Sequence, residues 1–100
     1  MSEIQSLLDR YVAALQAGAV STNEYPDHSL YMECLAATQR MQMALEQQQL
    51  GSIAADLHVA QHVFGWTQLP GPEAERAAVA LQDLAAAVLA ARLANRPDAW

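Results

Sequence analysis

His58 and His62 stand four residues apart, so on a helix both imidazoles share one face, a spacing that zinc sites often use. Asp56, His28 or Cys34 would have to complete such a site. The glutamate of the HExxH metalloprotease pattern is missing, because Val59 stands in its place. Two ligands on one short helix do not define a metal centre. The pair is read as partly exposed or interface histidines, with no metal and no cofactor. Asp27 with Glu33, and the acids Glu73, Glu75 and Asp83, have the chemistry of general acids and bases. Such catalysis also requires a pocket, for which a small alanine-rich chain offers little room. No glycine-rich phosphate loop is present and no Ser/His/Asp spacing stands out. The chain is therefore not read as an enzyme.

Three aromatic residues fit binding better than chemistry. Tyr25 precedes a predicted helix, Tyr31 lies one turn into it, and Trp66 falls just past the next one. Loop-proximal aromatics of this kind act as anchors in partner interfaces. Packing against the first helix is the competing reading for Tyr31, and capping the end of the fold is the competing reading for Trp66. The charge balance points the same way. Acids outnumber bases 11 to 5, every base is arginine, and the net charge is −6. That balance argues against nucleic acid and anionic membranes, which require basic patches, and favours a basic protein partner. The single Cys34 has no intramolecular disulfide partner and reads as a buried thiol in a reducing compartment. No basic, apolar leader is visible after Met1-Ser2-Glu3, and no long uninterrupted apolar run occurs, so a cytoplasmic protein is expected.

The elements that must position these residues are helices within a single domain, residues 1–100. Ile4, Leu7, Leu8, Tyr11, Val12 and Leu15 mark an amphipathic helix over 2–18, ended by Gly18. Pro26 and Asp27 open a long second helix over 27–50, whose apolar face is expected at Leu30, Cys34, Ala37, Met41, Ala44 and Leu45. Gly51-Ser52 breaks it, and Ser52 is placed to cap a third helix over 52–64. That helix carries Ile53, Leu57, Ala60 and Phe64 with Val59 and Val63 beside them, and Gly65 follows it. Leu69-Pro70-Gly71-Pro72 is the strongest break. Pro72, Glu73 and Glu75 then start a fourth helix over 72–95, with Ala77, Leu81, Leu84, Val88 and Ala91 facing inward and Pro97 beyond its end. Four helices with short links and no strand pattern predict an all-α, up-down four-helix bundle.

Tyr25-Pro26 opening a long helix, Gly51-Ser52-Ile53-Ala54, and the Pro72-Glu73 start of PGPEAERAAVAL give an order of elements that is similar to a known family. It resembles the small all-helical immunity proteins paired with type VI secretion effectors, notably those guarding against NAD(P)-degrading or (p)ppApp-synthesising toxins. The resemblance covers residues 4–90 in order of elements. It implies a stoichiometric inhibitor that binds one toxin domain and occludes its active site. In that reading Asp27, Glu33, Glu73 and Glu75 mimic substrate charge, while Tyr25, Tyr31 or Trp66 fills a pocket. The alternative is a small phage or bacterial regulatory inhibitor acting by protein–protein binding as a homodimer, with Tyr31, Leu35, Thr38 and Gln42 as its seam. A metal-binding or cofactor-binding bundle built on His58 and His62 is a third reading, from a different class.

Overall fold

The computed structural model describes residues 2–22, 27–67 and 71–94, with side chains placed for 3–22, 27–62 and 71–94. The chain forms four helices: α1 (Ser2–Ser21), α2 (Asp27–Glu46), α3 (Leu50–Thr67) and α4 (Pro72–Ala94). They pack in a ring, α1 on α2, α2 on α3, α3 on α4 and α4 back on α1, with the closing α1–α4 interface the most extensive. Among the described residues the backbones of diagonal helices stay apart, and their side chains belong to one shared core. This is the up-down bundle that the short connections require.

The buried positions explain the arrangement. They run 4-8-11-15 in α1, 31-34-38-41-45 in α2, 53-57-60 in α3 and 74-77-81-84-88 in α4. Steps alternating between three and four average 3.5 residues, the period that keeps one stripe facing its neighbours in a gently supercoiled bundle. Ile4, Leu8, Leu15, Met41, Leu45, Ile53, Leu57, Leu81, Leu84 and Val88 are the large aliphatic members of that core. Each such side chain contributes about 1.5–3 kcal/mol on burial. Ala74, Ala77 and Ala80 contribute far less area but let α4 lie close to its neighbours. By length and composition α4 is also apolar enough to cross a bilayer, with 28% of its most apolar stretch buried in the bundle.

Several boundaries differ from the sequence reading, each for a physical reason. Gly18 does not end α1. It sits buried inside it, because the Tyr31 ring occupies the space that a Cβ would fill. The helix ends at Ser21, where the Thr22 N–H and the Ser21 and Thr22 hydroxyls all donate to the Gly18 carbonyl at 2.8–3.1 Å. The second helix stops at Glu46, short of Gly51. Gln48 takes a left-handed φ of 58°, the Gln49 N–H donates to Ala44 O at 2.8 Å and the Gln48 N–H to Leu45 O at 3.0 Å. Those two bonds form a Schellman cap. Ser52 is consequently inside the first turn of α3, and its N–H donates to the Gln49 carbonyl. Gly65 does not follow α3 but lies within it, and Val59 is 61% exposed instead of packing beside the core. At α4 the Glu75 N–H donates to Gly71 O at 3.3 Å, and Pro72 takes the first position, where no N–H is needed.

The face of α2 offered above as a homodimer seam is an internal surface. Tyr31 and Thr38 are buried, Leu35 packs against the core, and Gln42 exchanges a reciprocal amide pair with Gln5 of α1 at 2.8 and 2.9 Å.

Candidate functional site

Up-down topology runs α2 and α4 in the same direction, so their first turns lie at the same end of the bundle. Asp27 opens α2, while Glu73 and Glu75 lie in the first turn of α4. Each placement suits a carboxylate, because the unpaired N–H groups of a helix start favour negative charge. Asp27 and Glu73 are half-buried and Glu75 is exposed. Between the two helix starts lies Tyr31, only 1% exposed. Its hydroxyl is pushed above the ordinary range by burial first, then by the negative charges of Glu73 and Asp27 and by Cys34. Two of the expected acids therefore act electrostatically on the same buried hydroxyl from this end of the bundle.

Tyr31 itself is not a surface anchor. Its ring is packed over Gly18, so it supports the acidic end from beneath without presenting a face to a partner. Tyr25 lies outside the described residues, as does the Trp66 side chain. The Trp66 backbone belongs to the last turn of α3 instead of following it. Glu33 is exposed but lies apart from the other acids, on a cleft of about 200 Å³ between α2 and α3 that also touches Cys34, Arg40 and Asp56. Arg40 and Asp56 face each other there at 3.4 Å, an exposed pair that contributes little to stability.

The histidines do not converge. His28 Nδ1 lies 3.0 Å from the Ala19 carbonyl at the end of α1, so its Nδ1–H donates there. His58 and His62 are exposed on α3, and no group of three or more His, Cys, Asp and Glu side chains that could hold a metal occurs among the described residues. Cys34 is a buried thiol, pushed above its ordinary pKa by burial, with the Tyr11 hydroxyl pulling it back and Glu33 raising it further. The Tyr11 hydroxyl is fully buried without a hydrogen bond of good geometry, so the thiol compensates it only weakly. This pair is part of the core.

One surface was not singled out by the sequence. Between α1 and α4 runs a groove of about 710 Å³, with Ala13 and Ala17 on one wall, Val79 on the other, and Arg10, Arg76 and Asp83 at its rim. It arises from missing volume, since alanines on two helices far apart in the chain face each other. The Arg76–Asp83 spacing across Val79 was the available signal.

No protein-family model matches the chain, and no curated protein or solved structure is similar to it.

Proposed function

We propose that this chain is a non-catalytic immunity protein that binds a nucleotide-targeting toxin domain one to one in the cytoplasm and occludes its active site. The observation that carries the reading is the placement of Asp27, Glu73 and Glu75 on helix first turns at one end of a bundle whose net charge is −6. Toxins that act on nucleotides hold phosphate with arginines, and carboxylates pair with the same guanidinium groups. Acids carried on the first turns of packed helices have their backbones already ordered, so little of the attraction is spent on ordering the chain that bears them. Long-range attraction between an acidic end and a basic cleft also speeds encounter.

The test is capture of partners by the tagged protein from its own host, followed by mass spectrometry and size-exclusion chromatography. A 1:1 complex with a secreted effector domain is expected. Asp27→Asn with Glu73→Gln and Glu75→Gln is expected to weaken that complex by about tenfold or more, since each charged hydrogen bond contributes roughly 1.5–3 kcal/mol. Capture of a transcription factor instead, or a complex indifferent to the triple variant, would sink the reading.

A further inference from the structure

We propose that a second copy of this chain docks on the α1/α4 groove, forming a two-fold dimer in which α4 lies antiparallel to its counterpart. Arg76 of each copy then pairs with Asp83 of the other. The inference does not rest on the toxin reading: it invokes a different partner, and of the acids in that reading only Glu75 also lines this groove.

The groove supplies the shape. Its walls are Ala13, Ala17 and Val79, and Val79 is 53% exposed, a large apolar side chain beside small ones. Close approach of a second helix buries it, while the alanines set no obstacle.

Charge selects the occupant. Nine acids and four arginines fall among the described residues. Arg10, Arg76, Glu75 and Asp83 line this groove, two of each sign, so the groove carries no net charge. Seven acids and two arginines remain elsewhere, and one of those arginines, Arg40, is already paired with Asp56. Two copies of a protein of charge −6 repel each other through most approaches. Through this face they do not.

Spacing sets the symmetry. Arg76 and Asp83 are separated by two helical turns on the same side of α4, with Val79 between them. A two-fold axis crossing α4 at the level of Val79 exchanges the two positions, so both ion pairs form together and the two Val79 side chains meet near the axis. A parallel pairing would instead set Arg76 on Arg76 and Asp83 on Asp83, which is repulsive.

Light scattering after size exclusion, and sedimentation equilibrium, on the full chain from micromolar to millimolar concentration test the proposal. The wild-type chain is expected to dimerise. Asp83→Arg and, separately, Arg76→Asp are expected to weaken the dimer by at least about tenfold, by replacing attraction with repulsion. The double exchange R76D/D83R restores it. Both positions are exposed, and unchanged far-UV circular dichroism in all three variants reports an intact fold. A wild-type chain monomeric throughout, a dimer that survives either single reversal, or a double exchange that stays monomeric would overturn the proposal.

Discussion

At the scale of single residues, Gly18 and Tyr31 decide how closely α1 and α2 approach. The aromatic ring lies where any other residue at position 18 would carry its Cβ, so the glycine is a packing device and not a helix terminator. Gly18→Ala is expected to cost about 1–3 kcal/mol, the range for overpacking a tight core. Urea unfolding monitored by circular dichroism checks this. In a Tyr31→Ala background, itself destabilised by the lost ring, Gly18→Ala is expected to cost less than in the parent, because the space is free, so the two changes will not be additive. A Gly18→Ala protein as stable as the parent would show that the ring moves aside easily. The same contact explains why Tyr31 is a poor candidate for reaching a partner directly.

At the scale of elements, the end of α2 shows a local conflict. Gln48 occupies a left-handed conformation that glycine adopts without penalty, and its backbone makes the cap that ends the helix. Gln48→Gly is expected to stabilise the protein by about 1 kcal/mol, relief of left-handed strain outweighing the added freedom of the unfolded chain. A higher urea midpoint at unchanged slope would confirm it, and a lower midpoint would refute it. Helix number, order and the faces of α1 and α4 were legible because those stripes are apolar throughout, Ile4, Leu8, Tyr11 and Leu15 in one and alanines with Leu81, Leu84 and Val88 in the other. On α2 the periodicity missed two buried positions, Tyr31 and Thr38, while Leu30 and Ala37 beside them are only partly buried. A polar threonine in the core is masked from a periodicity argument, and here its hydroxyl donates to the Leu35 carbonyl at 2.6 Å. Glycines misplaced the ends of α1 and α2 because Gly18 serves packing and Gly51 lies within α3. The acids at positions 27 and 73 were visible in the sequence. That both lie at one end of the bundle was not, since it depends on how the two helices run in the fold.

At the scale of the whole molecule, three buried weak acids make stability sensitive to alkali. Tyr11, Tyr31 and Cys34 all hold their protons more tightly in the fold than their ordinary values of 10.0, 10.0 and 9.0, burial being the main cause. The unfolded chain therefore releases these protons first as pH rises. Their contribution is fully present below about pH 9, begins to decline there as the unfolded thiol ionises, and is lost as pH climbs through the raised values. Urea midpoints across that range are expected to fall, and Tyr11→Phe with Cys34→Ala is expected to flatten the fall. An unchanged slope in the double variant would assign the effect elsewhere. The ring of contacts has a consequence for how the chain acquires its structure. Each of the first three helices meets the next in sequence, but the broadest interface joins the first to the last. On the ribosome, the inward face of α1 (Ile4, Leu8, Tyr11 and Leu15) stays half covered until α4 has emerged. Synthesis of nearly the whole chain thus precedes cooperative folding, and the rate of that step is governed by closing one long loop.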